Sequence, residues 1–235
     1  MKNSKYGNLR LKTCGLKPQM IGLHSHTLFS DGALLPSEIV RRAEAKGYKA
    51  LALTDHVDSS NIDFVLPRIV KVCRALNRYW KIRAIPGVEI THVPIEEIRP
   101  LVRFARKHGA GIVVVHGQTV SEPVLDGTNR AGIEAGCDVL AHPGLISAED
   151  VKLAKNKGVY LELTTRKSHY STNRRLFKLA KASGAKLVLN TDAHDEDDIV
   201  TYAQARRFLK GIGMSGTDIE ETLTNSEELV KRVNC

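Results

Sequence analysis

This 235-residue sequence predicts an α/β fold of parallel strands closed into a barrel, on three observations. Short Leu-rich or β-branched runs alternate with amphipathic stretches of helical period, about seven times along the chain. No hairpin signal separates successive strands, so the connections must be helical, right-handed crossovers between parallel neighbours. Gly47, Gly109, Gly158 and Gly184 each fall between a helical pattern and a strand, the usual place for a left-handed C-terminal residue. Seven such units in one domain favour closure over an open doubly wound sheet. No G-x-G-x-x-G follows the first strand, which argues against a dinucleotide fold.

In chain order, strands are expected at 20–24, 50–54, 83–89, 111–116, 138–142, 159–164 and 186–190. Helices are expected between them, at 37–46, 67–79, 98–108, 148–156 and 172–183. A long loop from Gly117 leads to a helix at Thr128-Asn129-Arg130, with Thr128 read as its N-cap. After Asp192 the pattern gives a long helix around 202–210 and a short one near 226–233, covering either the barrel bottom or its last seam.

Composition suits one sizeable core: 42% hydrophobic and 26% charged residues. No apolar run approaches the eighteen or so residues of a membrane span. Residues 1–19 form a basic extension without the apolar h-region of a secretory signal, so residues 20–235 are read as one domain and a cytoplasmic location is expected. Cys14, Cys73, Cys137 and Cys235 lie far apart with no C-x-x-C pair, the pattern of isolated reduced thiols. The net charge of +9 would attract phosphorylated or nucleic-acid partners, but it also occurs on proteins that merely need solubility.

Alternation of side chains along a strand locates the polar residues. Ile21 and Leu23 oppose Gly22, His24 and His26, while Leu51 and Leu53 oppose Ala52, Thr54 and His56. Val113 and Val115 oppose Val114 and His116, and Val139 and Ala141 oppose Leu140 and His142. Leu187 and Leu189 oppose Val188, Asn190, Asp192 and His194. The apolar sets are expected against the helices and the others towards the barrel axis. Each strand then offers an inward His, Asp or Glu at its C-terminal end, Glu89 included, where β/α barrels carry their active sites. Buried together without a cation, such groups would bear a large desolvation cost. Mixed imidazole and carboxylate donors suit Zn²⁺, Mn²⁺ or Fe, so a multinuclear metal site is expected.

The ordered motifs are His24-Ser25-His26 with Ser30-Asp31-Gly32, then Thr54-Asp55-His56 and Gly87-Val88-Glu89. They continue with His116, Ala141-His142-Pro143-Gly144 and Asn190-Thr191-Asp192-Ala193-His194. Together they resemble the PHP (polymerase and histidinol phosphatase) family, from about His24 to His194, and most resemble its stand-alone histidinol-phosphatase-like members. The resemblance implies a distorted (β/α)7, TIM-like barrel holding two or three divalent ions. It implies one metal on His24, His26, Glu89 and Asp192, a second on Glu89, His116 and His142, and a third on Asp31, His56 and His194. Some relatives carry a His near the Asp31 position; a carboxylate there keeps a ligand but changes its softness and charge.

Two close cations bridged by Glu89 would lower the pKa of a shared water, and the metal-bound hydroxide would attack phosphorus in line. No G-x-S-x-G elbow or reactive-Cys arrangement competes. In the loop Thr164-Thr165-Arg166-Lys167-Ser168-His169, Arg166 is the first candidate to bind phosphate, since a guanidinium can hold two oxygens. His169 is a second candidate, as phosphate donor or general acid, and Arg130 a weak third. Glu162 and Asn190 read equally as partners of a metal-binding His or as members of the barrel's polar network. Asp55 has outward parity and is expected to anchor a loop, His92 reads as a loop residue at the mouth, and His108 as a helix-end residue. The acidic run 195–198 reads as a solvated helix start.

The expected activity is hydrolysis of a phosphorylated small molecule, with histidinol phosphate suggested by the resemblance. A nucleotide or oligonucleotide phosphodiesterase or exonuclease is the second enzyme reading. An RNA-binding scaffold, like the PHP-fold protein subunit of RNase P, is the reading from another class, and nucleic acid is not the favoured partner. A pure scaffold has no need of nine metal-type side chains.

Overall fold

The computed structural model describes residues 19–233, so the expectations for the basic extension, Cys14 and Cys235 fall outside the described residues but for Gln19. The strands are β1 (Met20–Gly22), β2 (Tyr48–Leu53), β3 (His56–Val57), β4 (Arg83–Ile90), β5 (Ile112–His116), β6 (Val139–Ala141), β7 (Tyr160–Thr164) and β8 (Leu187–Asn190). Between and after them run helices α1 (Pro36–Ala45), α2 (Ile62–Tyr79), α3 (Ile95–Lys107), α4 (Thr128–Ala135), α5 (Ala148–Lys157), α6 (Asn173–Ser183), α7 (Tyr202–Gly211) and α8 (Gly216–Arg232).

Seven strands pair in parallel in the order β1-β2-β4-β5-β6-β7-β8, and the two-residue β3 adds to β4 with His56 opposite Glu89. The sheet nearly closes. At the seam between β8 and β1, Ser25 bridges Ala193, His26 N–H donates to Ala193 O at 2.8 Å, and Leu23 N–H donates to Asn190 Oδ1 at 2.8 Å. A distorted α/β barrel of the expected kind is the result.

Two apolar layers hold it. Between sheet and helices lie Leu51, Leu53, Val88, Val113, Leu140, Leu161 and Leu189 with the buried stripes of the helices. Inside the barrel lie Ile21, Leu23, Ala52, Ile85, Val114, Val139, Ala141, Tyr160 and Val188. Leu229 and Val233, from the end of α8, fill the bottom of that interior, so α8 closes the barrel's lower end. The helix lengths after Asp192 are therefore the reverse of the expectation: ten residues in α7 and seventeen in α8. α8 starts at a capping box, with Ser215 Oγ accepting from Asp218 N and the Asp218 carboxylate accepting from Ser215 N.

Helix α2 begins five residues before Pro67, which sits inside it. Buried Ile62, Val65 and Leu66 continue the stripe of Ile69, Cys73 and Leu76, and their burial outweighs the lost backbone bond. Among the described residues no helix is long and apolar enough to cross a membrane.

Candidate metal centre

The upper ends of the strands converge, but not by uniform alternation. Ile21 and Leu23 point into the barrel, as do Val139 and Ala141, whereas the sequence reading placed both pairs against the helices. His24 and His142 should therefore point outward. Two backbone departures bring them in. Strand β1 stops at Gly22, two residues before His24. His142 takes φ 24°, outside the extended region, immediately after β6 ends at Ala141. Asp192 similarly takes φ 49° beyond β8. Parity does hold for Ala52 and Thr54, for Val114 and His116, and for Val188 and Asn190.

Glu89 lies at the centre, fully buried at the end of β4. Its Oε2 is 2.8 Å from His56 Nδ1, 3.2 Å from His24 Nε2 and 3.5 Å from His26 Nε2. Its Oε1 is 3.7 Å from His142 Nε2. Asp192 Oδ1 lies 3.0 Å from His26 Nε2 and 3.5 Å from His24 Nε2. On the outer side Asp31 reaches His194 Nε2 at 3.0 Å and His56 Nε2 at 3.6 Å. The loop carrying Asp31 is anchored by buried Asp55, which accepts from Thr27 N–H at 2.7 Å and Ser30 Oγ at 2.9 Å.

Three rings have one nitrogen committed outside the centre. His24 Nδ1 faces Glu162 Oε2 at 2.8 Å, His116 Nδ1 faces Gly117 O at 3.1 Å, and His194 Nδ1 faces Asp192 O at 2.9 Å. Each of those oxygens can only accept, so Nδ1 carries the proton and Nε2 offers its lone pair inward. This is how metal-binding imidazoles are held. Asn190 Nδ2 in turn donates to Glu162 Oε2 at 2.9 Å.

The electrostatics tell the same story. Burial would lower the His24 imidazole, but Glu89, Glu162 and Asp192 together hold it well above the usual range. Burial would raise Glu89, yet His24 and His56 pull it well below the usual carboxylate value. Burial would likewise raise Asp192, which His24, His26 and His142 pull well down. Burial pushes His142 far down, helped by His116, and takes His26 to about 4. Protons and imidazoles are thus substituting for positive charge that the carboxylates demand.

The donor set fits divalent cations. Buried polar atoms without a hydrogen-bonding partner gather here, namely His26 Nδ1, both Glu89 oxygens, His142 Nδ1 and Glu162 Oε1, with only Ser226 Oγ elsewhere among the described residues. Ligand atoms about 2.1 Å from one ion stand roughly 3.0–3.5 Å apart, close to the spacings above. Among the nine expected ligands, groups with all ligand atoms within 4.8 Å are His24–His26–Glu89, His24–His142–Asp192, Glu89–His116–His142 and His26–Asp31–His56–His194. The nine side chains expected to be ligands are all brought together, and His26 reaches the outer group as well.

Above the centre opens a cleft of about 420 Å³. Arg166 lines it, with Nη1 donating to Asp192 O at 3.3 Å and facing Asp198 at 3.4 Å. His169 is buried and stacks on His142 with ring centroids 4.3 Å apart, its Nδ1 2.8 Å from both Thr119 Oγ1 and Ser121 Oγ. Arg130 instead pairs with Asp150 on the surface, and Thr128 is not the N-cap of α4, a place taken by Gly127. Asp198, in the acidic run, accepts from His194 N–H at 2.9 Å and so steadies a candidate ligand. The sequence reading missed Glu122, on the loop between β5 and α4, whose carboxylate lies 3.1 Å from His116 Nε2. Loop residues have no strand parity, so nothing in the pattern singles it out.

The fold and the motif order agree with what known proteins show. A family model described as the PHP domain matches residues 22–211. An uncharacterized protein of Methanocaldococcus jannaschii is 40% identical over 213 residues, covering 89% of this chain and 98% of that protein. A probable phosphatase of Clostridium botulinum (strain Langeland) is 26% identical over 234 residues, covering 89% of this chain and 91% of its own. In fold, a chain of an archaeal ribonuclease P solved by cryo-EM with mature tRNA is similar at a TM-score of 0.69, with 19% identity over 89% of this chain and 90% of that one. With the family model spanning the described barrel from β1 into α7, the chain belongs to the PHP domain family.

Proposed function

We propose that this PHP-family chain is a metal-dependent phosphoesterase that hydrolyses a small phosphomonoester, with histidinol phosphate the first substrate to try. One observation carries the reading: Glu89 is fully buried, has no proton donor in hydrogen-bonding geometry, and is ringed by imidazole nitrogens beneath a cleft with a guanidinium on its wall. The likeness to a protein named probable phosphatase, over nearly the whole of both chains, supports it.

His24, His26, Glu89 and Asp192 would hold one cation, Glu89, His116 and His142 a second, and Asp31, His56 and His194 a third. When bound, such cations supply Lewis acidity and water activation near neutral pH. The protein's own groups do the rest. Arg166, steadied by Asp192 O and Asp198, binds phosphate oxygens. Burial lowers the His169 pKa despite Asp192 and Glu122, so its ring is neutral at neutral pH. With a hydroxyl of Thr119 or Ser121 donating to Nδ1, His169 presents Nε2–H to the cleft as a phosphate donor rather than as a standing acid. A cleft of about 420 Å³ suits a phosphorylated metabolite.

Metal analysis of the purified protein, with a hydrolysis screen over histidinol phosphate, other phosphomonoesters and short oligonucleotides, tests the proposal. Bound Zn²⁺, Mn²⁺ or Fe with turnover of phosphomonoesters is the expected result. Faster cleavage of oligonucleotides would make the chain a nuclease instead. Metal-free protein that stays inactive after addition of Mn²⁺ or Zn²⁺ would overturn the reading, and salt-sensitive RNA binding by such a protein would favour a scaffold.

A further inference from the structure

His92 and Glu122, outside the nine, also line the cleft. Among the described residues, three that are not glycine have a left-handed backbone: His92 at φ 52°, His142 at φ 24° and Asp192 at φ 49°. That conformation costs free energy and persists where the surroundings enforce it. At His142 and Asp192 it delivers a side chain to a group of candidate ligands. His92, just beyond β4, bears the same strain and sets its Nε2 3.0 Å from Glu122 Oε2.

That same oxygen lies 3.1 Å from His116 Nε2, and the ligand atoms of His92, His116 and Glu122 all fall within 4.8 Å of one another. His116 has only Nε2 to offer, because Nδ1 donates to Gly117 O. Yet His116 also belongs to the inner group with Glu89 and His142. One lone pair cannot serve two ions at once. The two groups differ in access: Glu89, His116 and His142 are buried, while the side chains of His92 and Glu122 are 39% and 36% exposed.

We propose that His92, Glu122 and His116 form an outer divalent-cation position at the mouth of the cleft, from which His116 hands the ion to the buried position shared with Glu89 and His142. Two imidazoles and one carboxylate suit Zn²⁺, Mn²⁺ or Fe²⁺ and leave coordination positions for water. Because His116 belongs to both groups, such an ion has a route inward. The buried group meets the cleft only at His116 and His142, and of these His116 stands 3.1 Å from Glu122, so it offers the entry path that a metal site needs. The inference rests on the metal-dependent reading given above.

The test uses full-length protein stripped by a chelator and mixed with Co²⁺ alone, following the cobalt d–d absorbance in a stopped-flow instrument. His92→Ala and Glu122→Gln, singly and together, should take up cobalt measurably more slowly than the unaltered chain. Final cobalt content and the melting temperature of the stripped protein should not change. Uptake by the double variant at the unaltered rate overturns the outer position alone. Loss of a full equivalent of cobalt at equilibrium would make the two residues permanent ligands and overturn the transfer role. An unaltered chain that takes up no cobalt defeats the metal-dependent reading, and the outer position with it.

Discussion

Glu162 Oε2 lies 2.8 Å from His24 Nδ1, both groups fully buried, and this contact decides which ring nitrogen His24 presents to the centre. Asn190 donates to the same Glu162 oxygen while its own Oδ1 accepts from Leu23 N–H at the barrel seam. One amide thus ties closure of the barrel to the orientation of a candidate metal ligand.

Glu162→Gln keeps the shape and removes the charge. Loss of an orienting carboxylate of this kind costs about 10–100-fold in metal affinity. The expected outcome is weaker binding of the first metal, read by competition against a chelating indicator, with circular dichroism unchanged. Equal affinity would show that Glu162 serves the polar network alone.

Arg166→Ala removes the guanidinium from the cleft wall, where its Nε lies 3.6 Å from Asp192 Oδ2, and leaves the nine candidate ligands unsubstituted. A hydrogen bond to a charged group contributes about 1.5–3 kcal/mol, so kcat/KM for a phosphomonoester should fall by roughly 10–100-fold. Metal content should stay intact. Inhibition by inorganic phosphate should weaken in parallel, and unchanged kinetics would remove Arg166 from the site.

Much of this was legible in the sequence because strand–helix alternation and the order of His and carboxylate motifs are local signals. The strands came out within a few residues, except for the two-residue β3, and all nine expected ligands converge. What failed was the inference from parity at His24 and His142, where a strand end and a left-handed φ turn the chain. Backbone departures of that kind follow from tertiary packing, which no two-residue period records. Glu122 was illegible for the same reason, whereas the barrel bottom was one of the two places open to the C-terminal helices, and the structure selects it. A loop carboxylate becomes meaningful only once the loop is placed, and α8 reads as an ordinary helix until its Leu229 is seen inside the barrel.

The α8 plug yields a stability prediction with a definite pH dependence. Asp218 accepts from Ser215 N and Oγ and pairs with Lys181, and its pKa falls from 3.8 to about 2. A depressed carboxylate stabilises the fold above its unfolded value and loses that contribution as pH falls through the folded one. Asp218→Asn should therefore lower stability by about 0.5–1 kcal/mol at neutral pH, kept small by solvent screening and within the range for a cap. The difference should shrink below about pH 4 and vanish only below about pH 2, measured by urea unfolding. A constant difference across that range would mean that charge is not the cause.

Gly144 joins the two loops on which the centre depends. It follows His142-Pro143 at φ 57°, and a Cβ there would sit on the carbonyl oxygen of Gln118, in the loop that carries Glu122. Asn129 fastens the same two loops, donating to Pro143 O and accepting from Gln118 N–H, each at 2.9 Å. Gly136, at φ 78°, provides the control, since a Cβ at that site meets nothing within 4 Å. Gly136→Ala should cost only the left-handed backbone penalty, about 1–2 kcal/mol. Gly144→Ala must add backbone displacement to the same penalty, for a total on the order of 3 kcal/mol or more. Because the displaced segment bears His142, it should also lose metal, while Gly136→Ala keeps it. Melting temperature and metal content measured on both variants separate the two effects, and equal behaviour would show that the contact with Gln118 does not position His142.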